Sequence, residues 1–323
     1  MKTSNTGNQD NRLGKCVLGQ HFKNPIILAS GTAGFGRELA EVYAQHGRSL
    51  SEVGGIVSKG ITLEKRLGNN TPRIAETPSG MLNSIGLQNP GVDAFIRDEA
   101  DFFTSQGTIS IANICGFSEN EYVEVAKRLS KTSVDLLELN ISCPNVSKDL
   151  QSAGKPPIIA QDAALTEDIV RKVKAVCRQP LIVKLSPNVT NIVDIALAAE
   201  RGGADAISLI NTFTGTAIDF EKREFVLDNR IGGVSGPAIK PMALRMTVDV
   251  AKAINGRIPI IGMGGISNWR DVFEFMVGGA SLVQVGTKNL TDPMAIPRMI
   301  DDMQNYFAQN NINSTDEIIG TCR

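Results

Sequence analysis

Cys143 stands in the run Asn140-Ile141-Ser142-Cys143-Pro144-Asn145, whose residue types are suited to acid–base chemistry. A buried cysteine is ordinarily an inert small hydrophobe. This one sits between a serine and a proline, flanked by two side-chain amides, just after an apolar stretch over 135–140. Polar or cationic surroundings favour the thiolate, and a positioned thiolate can take a proton. Lys184 is the second signal. It lies in Leu181-Ile182-Val183-Lys184-Leu185, and an ammonium among core residues needs a counter-charge. Ser30-Gly31-Thr32, Lys59-Gly60, Asn113, Asn211-Thr212, Gly264-Gly265 and Gly286-Thr287 each follow an apolar run as well. Amides and lysines read the polar edges of a planar ligand, and glycines let main-chain N–H groups approach a phosphate. Singly, each of these is commonplace: a Gly-Gly pair is most often a turn, and a lysine at a strand end is most often solvated. The two histidines, His21 and His46, lie outside these segments, so proton transfer falls to another group. Cys177 shares a helical face with Val173 and Val176, where packing is the expectation, as it is for Cys16, Cys115 and Cys322.

The elements that position these residues follow from hydrophobic patterning. Short β-branched runs over 25–29, 55–58, 108–112, 135–140, 181–185, 206–210, 258–262 and 282–285 read as strands. Helical patterns occupy 37–46, 92–105, 119–130, 166–177, 192–201, 239–254, 268–277 and 293–308. Eight alternating units predict an α/β fold, a (β/α)8 TIM barrel, in preference to an open doubly wound sheet. Every chemistry-bearing residue above falls at a strand's carboxyl end, and in a closed barrel those ends share one mouth. Two long insertions, 61–91 and 144–161, fall at the same face. Residues 1–15 read as a polar tail and 16–323 as a single barrel domain.

Composition narrows the classes further. The 323 residues are 42% hydrophobic, enough for one large core. Lys and Arg number 33 against 34 Asp and Glu, so no nucleic-acid face or membrane surface is expected. Five widely spaced cysteines, with no CxxC and no Cys/His cluster, argue against a metal site or a disulfide framework and suggest a reducing cytoplasm.

Several of these motifs, in order, resemble a known family. Asn140-Ile141-Ser142-Cys143-Pro144-Asn145 is similar to the active-site motif of class 1 dihydroorotate dehydrogenases, and Asn83-Ser84-Ile85-Gly86-Leu87-Gln88-Asn89 to their orotate-binding loop. Ala29-Ser30-Gly31-Thr32, Thr71-Pro72-Arg73, Lys184-Leu185-Ser186-Pro187-Asn188, Gly232-Gly233-Val234-Ser235-Gly236 and Gly262-Met263-Gly264-Gly265-Ile266 resemble the family too. The resemblance implies an FMN-carrying barrel of pyrimidine biosynthesis that oxidises dihydroorotate to orotate. Cys143 would take the proton from C5 while hydride leaves C6 for flavin N5. Lys59, Asn83, Ser84, Ile85, Gly86, Leu87, Asn140, Asn145, Asn211 and Thr212 would hold the substrate. Ser30, Lys59, Gly60, Asn113, Asn140, Lys184, Ile210, Gly236, Gly264, Gly265, Gly286 and Thr287 would hold FMN, whose reduced ring would be the counter-charge for Lys184. Residues 75–82 and 211–219 look more like the NAD-linked class 1B than the fumarate-using class 1A. That subclass implies a homodimer paired with an electron-transfer subunit carrying FAD and an iron–sulfur cluster. The loop 146–159, expected to cover Cys143, departs from the family in its adjacent Pro156 and Pro157 and its sparse glycine. Rival readings are a dihydropyrimidine-dehydrogenase-like barrel, an IMP-dehydrogenase-like barrel, and a barrel that binds without catalysing.

Overall fold

The computed structural model describes residues 12–141 and 159–322. Eight short parallel strands form its centre: β1 (Ile26–Leu28), β2 (Gly55–Val57), β3 (Ile109–Ile114), β4 (Leu136–Asn140), β5 (Leu181–Lys184), β6 (Ala206–Leu209), β7 (Ile260–Met263) and β8 (Leu282–Val285). Each pairs with the next in chain order, and β8 closes on β1 through Val283 and Ile26, so the sheet is a barrel without edges. All eight fall in or against the predicted runs. Their near-continuous apolar character has a simple cause: helices cover the outside and side chains fill the inside, so both faces are buried.

The helices start where local chemistry supports them. Ser118 accepts the main-chain N–H of Glu121 ahead of Glu119–Leu129. Asn268 and Asp271 form a reciprocal capping box ahead of Trp269–Val277. The predicted helix over 92–105 is two helices, Val92–Asp98 and Ala100–Thr104, broken at Glu99.

Inside the barrel the period of two sets the layers. Ile111, Leu136, Ile182, Ala206, Ile261 and Leu282 form an apolar floor, closed by Val17 and Phe22 from a hairpin, Lys15–Val17 with Gln20–Phe22. That hairpin corrects the tail boundary: Leu13 is already buried and Lys15 opens a strand, while residues 1–11 lie outside the described residues. Two positions beyond the floor, the same inward face turns polar, with Asn113, Glu138, Lys184, Ser208 and Gln284 all buried. One further step along β4 brings Asn140.

The mouth carries a second, antiparallel sheet that the hydrophobic pattern did not reveal. Its strands run Phe213–Gly215, Gly232–Ser235, Gly80–Asn83, Ile74–Thr77, in that spatial order. Two come from the predicted insertion 61–91 and two from the excursion between β6 and the helix Lys240–Ile254. Of the other insertion, 144–161, only the turn Ile159–Gln161 is among the described residues.

Close approach of backbones sets one glycine ahead of β2. A Cβ on Gly54 would stand 2.1 Å from the carbonyl oxygen of Asn24 and 2.8 Å from that of Ile26. Gly54→Ala is therefore expected to destabilise the barrel by about 1–3 kcal/mol, the usual scale of overpacking. An unchanged thermal unfolding midpoint would show that the strands can part there at no cost.

Candidate active site

Glu138 organises the polar layer. It is fully buried at the centre of β4, where its Oε1 accepts Asn113 Nδ2 at 2.7 Å. Its Oε2 accepts Gln284 Nε2 at 2.6 Å and Ser208 Oγ at 3.0 Å. Lys184 Nζ lies 3.7 Å from Oε1. This corrects the expectation that a flavin is the counter-charge for Lys184: the protein supplies a carboxylate of its own. The signal was in the sequence, since Glu138 shares parity with Asn140 on an inward-facing strand.

Asn113 relays this order outward. With its amide nitrogen committed to Glu138, its Oδ1 faces Asn140 Nδ2 at 3.4 Å and Cys115 Sγ at 3.3 Å. Tyr122 Oη donates to the Asn140 carbonyl at 3.1 Å, securing the end of β4.

Above this layer a cavity of about 840 Å³ opens, roofed by the antiparallel sheet. From β1 and β2 come Ser30, Lys59 and Gly60; from β4 and β5, Asn140 and Lys184; from the end of β6, Ile210, Asn211 and Thr212. Asn83, Ile85, Gly86 and Leu87 line the roof side, while Gly236, Gly264, Gly265, Gly286 and Thr287 line the far end. The structure thus gathers almost all the predicted site residues around one cavity. Ser84 and Asn113 are exceptions. Ser84 is fully buried, its Oγ accepting Asn69 Nδ2 at 3.0 Å, and it braces the loop from behind. Asn113 sits one layer below, under Asn140. Cys143 and Asn145 lie outside the described residues. Cys177 packs as expected, and burial pushes its thiol up to about 11.

The substrate-type loop is held rigidly. Ser84 N donates to the Arg73 carbonyl at 2.8 Å, and Arg73 Nη2 reaches Gln88 Oε1 at 2.7 Å. Arg73, to which the sequence motifs assigned no role, lines the cavity. Burial first, then the charge of Arg73, holds the Lys59 ammonium below the ordinary lysine value, against an opposing pull from Glu38.

At the far end, Gly264 and Gly265 have φ of 127° and 77°. A Cβ on either would come within 2.7 Å of the helix that starts at Lys240, at Ala243 or at Lys240 itself. Only glycine fits both the backbone conformation and the space. The bare main chain so formed, beside the helix start at Thr287, suits a phosphate. Among the described residues the lining carries Lys59, Arg73 and Lys288, and Lys184 with Glu138 beside it, against the carboxylate of Glu76, so anionic ligands are favoured. In the floor, Gln284 Oε1 is buried and accepts no hydrogen bond among the described residues. A phosphate-bearing anionic ligand fits the glycine-built end and the cationic lining.

Among the described residues, no group of three or more His, Cys, Asp or Glu is placed to hold a metal ion, and no helix is long and apolar enough to cross a membrane.

A closed parallel barrel with its polar side chains gathered at the carboxyl ends is the architecture of (β/α)8-barrel enzymes, here with a cofactor-sized mouth. Known sequences narrow the class. The dihydroorotate dehydrogenase family profile matches residues 12–307, and the chain belongs to that family of flavin-dependent oxidoreductases. It is similar to proteins named dihydroorotate dehydrogenase B (NAD(+)), catalytic subunit. The one from Petrotoga mobilis is 47% identical over 94% of this chain and 97% of its own length. The one from Alkaliphilus oremlandii is 49% identical over 95% and 98%. The one from Alkaliphilus metalliredigens is 50% identical over 94% and 97%.

Proposed function

We propose that this chain is the catalytic subunit of an NAD-linked dihydroorotate dehydrogenase, oxidising (S)-dihydroorotate to orotate in pyrimidine biosynthesis. The observation that carries the reading is one cavity lined by Lys59, Asn83, Asn140 and Asn211 together with Gly236, Gly264, Gly265 and Gly286. FMN, when bound, supplies the hydride acceptor. Ser30, Gly60, Lys184, Ile210, Gly236, Gly264, Gly265, Gly286 and Thr287 would hold it, with Asn113 acting through Asn140. Lys59 and the amides of Asn83, Asn140 and Asn211 orient the flat substrate anion, with Asn145 and Thr212 completing the set. Cys143 removes the C5 proton. The assembly proposed around the chain is a homodimer with a second subunit carrying FAD and an iron–sulfur cluster, in the cytoplasm.

Anaerobic mixing of the purified chain with dihydroorotate tests this. Bleaching of the flavin absorbance is expected, with reoxidation by NAD only when the second subunit is added. Equal bleaching by dihydrouracil would instead mark a dihydropyrimidine-dehydrogenase-like enzyme, and reoxidation by fumarate the class 1A chemistry.

Lys59 gives a pH signature. Its protonated form attracts the substrate carboxylate, and its titration lies below the free lysine value of about 10.4. The kcat/KM for dihydroorotate is therefore expected to fall as pH rises through that lowered value. Lys59→Met removes a charge-assisted hydrogen bond, so kcat/KM at neutral pH should drop about 10- to 100-fold and the Lys59 limb should vanish. An alkaline limb identical in the variant would assign it elsewhere.

A further inference from the structure

Lys184 lines the cavity, while Glu138 is fully buried and stands outside the lining. Neutral donors satisfy both oxygens of the Glu138 carboxylate. Oε1 accepts Asn113 Nδ2 at 2.7 Å, and Oε2 accepts Gln284 Nε2 at 2.6 Å and Ser208 Oγ at 3.0 Å. Lys184 Nζ stands 3.7 Å from Oε1, too far for a hydrogen bond but well within Coulomb range. The carboxylate is thus fixed by neutral partners, and the ammonium faces the cavity with its charge partly cancelled. The two side chains are 6% and 0% exposed, so solvent ions screen neither of them well from a charge that develops in the cavity. A flavin that takes up hydride, one proton with two electrons, gains one unit of negative charge. Lys184 favours that gain and Glu138 opposes it. The ammonium alone would raise the reduction potential of the flavin, and the carboxylate beside it brings the potential down again. Passing electrons onward to NAD calls for the lower value.

We propose that Glu138, without touching a ligand, sets the reduction potential of the bound flavin by offsetting the charge of Lys184. The proposal rests on the flavin-dehydrogenase reading and deepens it, since it assigns the tuning of that site to an ion pair with one member outside the cavity lining. Glu138→Gln is the informative change. Oε1 of the substituted amide can still accept Asn113, and its N–H group meets Gln284 and Ser208, whose amide and hydroxyl can turn to accept. The hydrogen bonds are kept and the charge is lost.

The potential of the FMN-loaded protein is measured by equilibration with reference dyes during anaerobic reduction. Relative to the wild type, Glu138→Gln should favour reduced over oxidised flavin by about tenfold or more, the worth of a unit charge in a poorly screened site. Tenfold corresponds to an upward shift of about 30 mV for a two-electron couple. Ser208→Ala removes one hydrogen bond from the carboxylate and no charge, so it should leave the potential at the wild-type value. That control separates lost charge from a disturbed cluster, which a merely structural role would not do. If Glu138→Gln fails to fold, the claim is read from Lys184→Met and from the double variant Lys184→Met with Glu138→Gln, which removes both charges of the pair. The double variant should lie about 30 mV or more above Lys184→Met, because the carboxylate is gone. A Glu138→Gln potential equal to the wild type, or equal potentials in the last two proteins, overturns the assignment of Glu138 alone. A chain that takes up no FMN overturns the flavin reading and this proposal with it.

Discussion

Cys143→Ala is expected to leave FMN bound and to slow its reduction by dihydroorotate about 10²- to 10⁴-fold, the contribution of a positioned general base. The C5 proton of dihydroorotate is held on carbon, and water is a poor substitute for a base held at van der Waals contact. A free thiol titrates near 8.5, so modest help from polar neighbours makes the thiolate available at neutral pH. The amide of Asn140, fixed through Asn113 to Glu138, is one such neighbour in the chain, three positions away. Cofactor retention follows because no FMN contact is assigned to Cys143. Two measurements check the pair of claims: flavin content by absorbance, and single-turnover bleaching in a stopped-flow instrument. Bleaching at the wild-type rate would remove Cys143 from the mechanism. Cys143→Ser should keep partial activity that grows toward high pH, since a hydroxyl is a far weaker acid than a thiol.

Glu138→Ala is expected to cost about 3–5 kcal/mol of stability, more than the overpacking at Gly54. The carboxylate is fully buried and receives Asn113, Ser208 and Gln284, with Lys184 close by. Removing it leaves three donors without their acceptor and a buried ammonium without its counter-charge. Replacing both charges together, Glu138→Leu with Lys184→Met, should cost less than the sum of the two single changes, because no unpaired charge remains. Thermal midpoints of the apoproteins measure this directly. A Glu138→Ala protein that melts with the wild type would mean that the ion pair contributes no net stability.

Most of the barrel could be read from the chain because its information is local. A strand covered on both faces must be apolar at nearly every position, as in Ile260-Ile261-Gly262-Met263, and a helix start needs its cap nearby, as with Ser118 or Asn268. The site followed from the same reasoning, since residues after each strand must meet at one rim once the barrel closes. Ser84 misled for an instructive reason. Its neighbours Asn83 and Ile85 line the cavity, but alternation sends the side chain between them to the opposite side, onto Asn69. The roof sheet escaped notice because its two halves meet across a long separation, Asn83 with Gly233, and no local pattern announces a partner 150 positions away.

Sequence alone therefore determined the eight-unit alternation, the rim on which polar residues collect, and the family to which the motifs point, because each depends on spacing within a few residues. Tertiary structure alone decided which charges meet. Glu138 and Lys184 lie on neighbouring strands 46 positions apart in the chain, and only their common inward face brings the carboxylate to 3.7 Å from the ammonium. Which donors share the Glu138 carboxylate was likewise beyond the sequence: Gln284 is turned by a hydrogen bond from β8 to β4, across a barrel that must first close.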